Sequence, residues 1–244
     1  TMEMAEERIA ERIDANLLGI SMEDLHMLNK KLFNEKIVKL QNKTTGTLII
    51  KEYPTASASV NHYRALVNEL ALKRTFKPDI IFVDYINICA SSRFKPGANV
   101  NSYTYVKAIA EEMRGLAVEL DVPIVTATQT TRSGFVSSDI GLEDTSESFG
   151  LPATADFMFA LISSEELERA GQMLVKQLKN RYNDPTVNRK FIIGVDRARM
   201  KLFDIEQQAQ NLIQPEQEKY VEHNLEKTEE SPEEKYKKFQ DFKF

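Results

Sequence analysis

Cysteine is almost missing from this chain of 244 residues: Cys89 is the only one, so no disulfide can form within it, and the scarcity fits a reducing cytoplasm. Histidine is nearly as scarce. His26, His62 and His223 are too scattered for a histidine-based zinc site. No apolar run approaches the roughly 20 residues that a membrane span needs, so no membrane partner is expected. The first stretch, TMEMAEERIAERID, is charged and helical in pattern, unlike a signal peptide. An excess of positive charge is lacking too: 32 Lys and Arg stand against 37 Asp and Glu, a net charge of -5. That balance argues against a protein that coats nucleic acid along its whole surface. From Gln207 to Phe244 nine acids oppose six lysines, a balance of -3, which leaves -2 for the other 206 residues. Any contact with nucleic acid is therefore expected to be local, made by loops.

What is present is a chain that is 42% hydrophobic, enough to bury one sizeable core. Two helices open it: MAEERIAERIDANLLG, with Gly19 as its stop, and SMEDLHMLNKKLFNEKIVKL, with Ser21 and Asp24 in capping-box spacing. TLIIKEY, Thr47 to Tyr53, reads as a strand. Val60, Tyr63, Val67 and Leu70 form one face of a helix, as do Val106, Ile109, Met113, Leu116 and Leu120 further on. Between and after these lie strand-like runs: IIFVD, VPIVTATQ, ADFMFALIS, QMLVKQLKN, KFIIGVD and MKLFDIE. The alternation predicts an α/β fold with a mainly parallel central sheet covered by helices on both faces, extended by antiparallel strands at one edge. Residues 1–206 make that unit. Residues 207–244, rich in Gln, Glu and Lys, read as a mostly disordered tail with an aromatic end.

Several residues are candidates for chemistry. In KPDIIFVDYINICAS an apolar run ends on Asp84 and Tyr85, and ligands of open α/β sheets bind at the carboxyl ends of strands. There Asp84 suits the water shell of a magnesium ion on nucleotide phosphates, or else a plain strand-end acid capping a turn. Gln129 ends the neighbouring strand and suits contact with a terminal phosphate, or is an ordinary strand-end amide. Glu3 could polarise a water that attacks phosphorus, or simply favour the start of a helix. Lys179 and Arg181, two apart on a strand, project to one side and suit the charge of a transferring phosphoryl group, or form a solvated pair. Two long loops remain. Residues 90–105 hold Arg93 and Lys95 without an acid, and residues 130–150 are rich in Ser and Gly; both are plausible contacts for a single-stranded backbone.

The order of these features carries more than any one of them. A glutamate in MEM, a strand ending Asp-Tyr, a strand ending in Gln, an ES…AD segment and a K-x-R strand follow one another. This succession resembles the ATPase domain of DnaB-family replicative helicases on the RecA-like fold, and within the family the helicases of large tailed phages. The stretches MEMAEE, RIDANLL, NSYTYVKAIAEEMR and ESFGLPATADFM carry the likeness. The resemblance implies a hexameric ring of identical subunits that hydrolyses ATP with Mg2+ and moves along single-stranded DNA, five-prime to three-prime. Primase and a helicase loader are implied partners, in the cytoplasm of a phage-infected bacterium. Glu3 matches the family's catalytic glutamate, Asp84 its magnesium-associated acid with Tyr85 beside it, and Gln129 its polar sensor. Lys179 and Arg181 match the pair that reaches across the subunit boundary, Arg181 as arginine finger. Arg93, Lys95, Arg132 and the segment with Ser146, Glu147, Ser148 and Gly150 are the implied DNA contacts, although Ser146 stands where many relatives have arginine.

The family also carries a glycine-rich phosphate loop upstream of the MEM segment. No G-x-x-x-x-G-K-[ST] occurs in these 244 residues. The expectation is a C-terminal motor portion lacking that loop, inactive by itself. Two rival readings stay open: a RecA-type recombinase that forms filaments, and a non-catalytic chain that binds DNA or partners.

Overall fold

The computed structural model describes residues 1–95, 99–130, 141–142, 150–184 and 187–205. Helix α1 is Glu6–Leu18, ended by Gly19 in the left-handed conformation (φ 65°), as its position predicts. The single helix expected next is two. Ser21 caps α2 (Met22–Met27) by accepting from the Asp24 N–H, and α3 (Lys30–Gln41) starts anew because Asn29 accepts from the Leu32 N–H while Leu28 is extended. Helix α4 is Val60–Arg74, with a Ser59/His62 capping box, and α5 is Ser102–Leu120, capped by Asn101. Strands β1 (Ile81–Val83) and β2 (Ile124–Thr126) pair in parallel, Phe82 opposite Val125. Short helices α6 (Gly150–Thr154) and α7 (Glu165–Arg169) flank β3 (Phe157–Ile162). Then β4 (Gln172–Asn180), β5 (Lys190–Asp196) and β6 (Lys201–Asp204) complete an antiparallel sheet in the order β3-β4-β5-β6.

Helices α4 and α5 cover the face of the parallel pair that carries Ile81 and Val83. Their Tyr63, Ile109, Met113 and Leu116 form the main core with Met2, Ile86 and Cys89. Coverage of both faces does not hold among the described residues. Side chains alternate along a strand, so Phe82 points the other way, and with no described helix over it stays 66% exposed. Nor does Thr47–Tyr53 form a strand. Its described main-chain partner is Thr1, whose ammonium donates to the Lys51 carbonyl and whose carbonyl accepts from the Tyr53 N–H, while the Glu6 carboxylate accepts from the Glu52 N–H. One residue cannot make a ladder. The antiparallel strands are present as expected, but as a sheet of their own with no ladder to the parallel pair among the described residues, and the turn between β5 and β6 docks on the end of α1: Arg199 Nε donates to the Gly19 carbonyl and Asn16 Nδ2 to that of Met200. The tail predicted for 207–244 lies outside the described residues.

Leu116 is fully buried on α5, whereas Val118 two residues on is 75% exposed. Leu116→Ala is expected to cost about 3 kcal/mol in urea denaturation, and Val118→Ala less than about 0.5 kcal/mol.

Candidate functional site

Backbone pairing continues past the ends of the parallel strands and assembles one edge. The Met2 N–H donates to the Asp84 carbonyl at 3.2 Å, the Ile86 N–H donates to the Ala127 carbonyl at 3.2 Å, and the Thr55 hydroxyl donates to the Met2 carbonyl at 2.7 Å. Glu3, Asp84 and Gln129 therefore emerge from three adjacent segments at the carboxyl edge, all exposed. Tyr85 joins them: Gln129 Nε2 donates to its hydroxyl at 3.0 Å, and the Asp84–Tyr85 peptide is cis. Beneath this edge Met2 is 3% exposed, and Tyr63 donates its hydroxyl to the sulfurs of Met2 (3.5 Å) and Cys89 (3.4 Å). Burial pushes the Tyr63 phenol up and the Cys89 thiol up to about 11, so both stay protonated and inert.

Behind Asp84, residues 91–95 are tied to α5. Glu112, buried on that helix, accepts from the Ser91 hydroxyl (2.5 Å), the Ser92 N–H (2.8 Å) and the Ser92 hydroxyl (2.6 Å). Burial alone would raise its pKa, but these donors outweigh it and hold the carboxyl below its ordinary value. The Ser91 N–H donates to the Tyr105 hydroxyl, and Phe94 stacks on the Tyr105 ring. Arg93 is not a bare cation: its guanidinium pairs with Glu111 and lies 3.9 Å from Glu112. Lys95 is exposed.

Lys179 and Arg181 form a second cluster, around the end of α6. Lys179 Nζ donates to the Pro152 carbonyl at 2.5 Å, and Arg181 donates to the Ala153 carbonyl at 2.7 Å and to Asp156 at 3.0 Å. Arg114 of α5 completes it, donating to the Thr154 carbonyl at 2.8 Å and to Asp156 at 2.6 Å. Burial, and then the Arg181 charge, lower the Lys179 pKa. At Asp156 burial works upward, but the Arg114 and Arg181 guanidiniums prevail and hold the carboxyl down. Gly150 starts α6 where a Cβ would come within 2.8 Å of Lys107, so glycine lets α6 lie on α5. Arg132, Ser146, Glu147 and Ser148 lie outside the described residues.

Sequence reasoning passed over Glu112, Arg114 and Asp156. Glu112 had a signal: it stands three residues after Ile109 and four before Leu116, an acid on an apolar stripe. As a place for magnesium-bound ATP the carboxyl edge fits in part. Acids and an amide suited to a hydrated cation and its phosphate are exposed together there, while no phosphate-loop sequence occurs in the chain.

A family model described as the DnaB-like helicase C-terminal domain matches residues 1–193. The chain belongs to this helicase family. It is 49% identical over 210 residues to the DnaB-like replicative helicase of Enterobacteria phage T4, covering 85% of this chain and 44% of that protein. A probable plasmid replicative DNA helicase of Chlamydia muridarum is 32% identical over 135 residues, 54% of this chain and 28% of that one. The chain thus spans less than half the length of the curated relatives it matches. A solved DnaB-like replicative helicase, studied with its primase interactions, superposes with a TM-score of 0.67 at 18% identity, over 84% of this chain and 49% of that one. A solved ATPase domain superposes equally well, with a TM-score of 0.67 at 17% identity, over 84% of this chain and 72% of that one. The fold is RecA-like, an α/β core with an antiparallel extension, as expected for the family.

Because the Glu112 pKa is depressed in the folded chain, its contribution is fully present above the unfolded value of about 4.3 and fades as pH falls through the folded one. Glu112→Gln is therefore expected to cost about 1–2 kcal/mol at neutral pH, with the gap in urea midpoint closing as pH falls below the unfolded value. A gap independent of pH would show that Glu112 carries no charge-dependent load.

Proposed function

We propose that this chain is the motor portion of an ATP-driven replicative helicase, one subunit of a hexameric ring that unwinds duplex DNA by moving on single-stranded DNA. Residues 1–206 are the motor and 207–244 a dock for primase or a loading protein; the setting is the cytoplasm of a phage-infected bacterium. The observation that carries the reading is the shared edge of Glu3, Asp84, Tyr85 and Gln129, held in register by the Met2–Asp84 hydrogen bond. When bound there, magnesium-ATP supplies the phosphoryl group whose hydrolysis drives movement. Glu3 would orient and polarise the attacking water, Asp84 would hold the hydrated cation, and Gln129 with Tyr85 would contact the terminal phosphate. Lys179 and Arg181 serve the neighbouring subunit's phosphate, where a guanidinium offsets charge developing in transfer. Arg93, Lys95, Arg132, Ser146, Glu147 and Ser148 are the proposed DNA contacts, while Gly150, buried against Lys107, packs the helix that follows them.

The cradle for the phosphates is what the 244 residues lack. The chain alone is therefore expected to bind magnesium-ATP no tighter than about 1 mM; micromolar binding in an equilibrium filter assay would contradict this. The cation pair acts in trans and needs no cradle of its own. Intact phage T4 helicase stripped of its matching pair, when co-assembled with this chain, is expected to hydrolyse ATP at least about tenfold faster than when stripped and alone, and the Arg181→Ala chain to restore nothing. Mixed rings seen by mass photometry but without recovered hydrolysis would sink the assignment.

A further inference from the structure

A short stack of rings runs from the main core to residues 91–95. Tyr105 packs against that core, its hydroxyl accepts from the Ser91 N–H at 3.1 Å, and Phe94 stacks on its ring with centroids 5.9 Å apart and planes inclined by 30°. Phe94 is half-buried and is not among the described residues packed against the core itself. A ring stacked on one side offers its remaining face to a further flat partner. The backbone that carries Phe94 is fixed with unusual care for a surface segment: the Glu112 carboxylate is buried on α5 with three donors from Ser91 and Ser92. A buried charge is tolerated only when its hydrogen bonds are met, and such anchoring holds a binding group in one geometry. Charge alone gives a strand little hold here. Arg93 pairs with Glu111 and lies 3.9 Å from Glu112, and Lys107 reaches Glu111 at 4.0 Å, so both cations lean on acids. Lys95 is exposed and in no ion pair among the described residues, and one such cation offsets about one phosphate. Stacking on a base supplies what charge lacks, whatever the sequence of the strand. Gly150, directly after the other segment proposed to contact DNA, lies against Lys107, within the same stretch of α5 (Tyr105 to Glu112) that anchors residues 91–95.

We infer that Phe94 is a stacking platform for a base of single-stranded DNA, backed by the Tyr105 ring, held in place through the Glu112 anchor and flanked by the cation of Lys95. The inference rests on the reading of Arg93 and Lys95 as DNA contacts. It adds the chemical group recognised there, the flat face of a base as well as the phosphate backbone. Glu112 and Tyr105 touch no DNA and are positioning residues for this contact.

The test titrates the full chain into end-labelled oligo-dT, and into an abasic strand of the same length, with fluorescence anisotropy as the readout. The wild-type chain is expected to bind oligo-dT at least about fivefold tighter than the abasic strand. Phe94→Leu is expected to bind the two strands alike, with its affinity for the abasic strand unchanged. The chain has no tryptophan, so Phe94→Trp places a single indole at the site. Its emission is expected to be quenched by unlabelled oligo-dT and not by the abasic strand at equal occupancy. Equal wild-type affinity for the two strands, a preference that survives Phe94→Leu, or an indole that oligo-dT leaves unquenched overturns the stacking and leaves the phosphate contacts of Arg93 and Lys95 standing. Binding of neither strand overturns the DNA-facing reading of this segment, and the stacking with it.

Discussion

The candidate site depends on one backbone hydrogen bond, from the Met2 N–H to the Asp84 carbonyl. It aligns two segments that are more than eighty residues apart in sequence, and its register decides that Glu3 emerges beside Asp84 and not a residue away on the opposite face. A backbone bond in water is worth little net, about 1 kcal/mol. What holds this one is burial: the Met2 side chain sits under the edge against Tyr63, and the Thr55 hydroxyl closes on its carbonyl. Apolar packing below the edge thus places polar chemistry above it, and the acids stay exposed because everything that positions them lies underneath.

The second cluster works by opposite means. Lys179 and Arg181 are held from above, by carbonyls and a carboxylate, and little apolar surface is involved. Such contacts are individually exchangeable with water or with a phosphate. A site that must stay constant is fixed by packing, and one that must let go and take hold again is fixed by hydrogen bonds. The two halves of the proposed motor divide along that line.

Much of this was legible in the order of residues. Periodicity placed α1, α4, α5 and the strands, and Gly19 and Ser21 marked the ends they occupy; Asp84 directly follows β1, whereas Gln129, expected to end its strand, stands three residues past the end of β2 at Thr126. The misses have physical causes. Apolar spacing runs unbroken through Leu25, Leu28 and Leu32, so the break at Asn29, made by a side-chain cap, was hidden in a helical rhythm. Thr47–Tyr53 has strand composition, but composition cannot supply a neighbour to pair with. The spacing of Lys179 and Arg181 said correctly that they share a side, and nothing local says that this side meets α6, some thirty residues earlier in the chain. Glu112 was readable as an acid on an apolar stripe, and its partners lie about twenty residues away on the loop after β1.

The docking of the β5–β6 turn on the end of α1 has a mechanical consequence. Helix α1 starts close after Glu3 and, with 13 residues, spans about 20 Å, and at its far end Arg199 and Asn16 bolt it to the sheet whose strand β4 carries Lys179. In the ring proposed above, this rod joins the segment bearing Glu3 to the sheet bearing Lys179, so that tilt at either end reaches the other through solid parts.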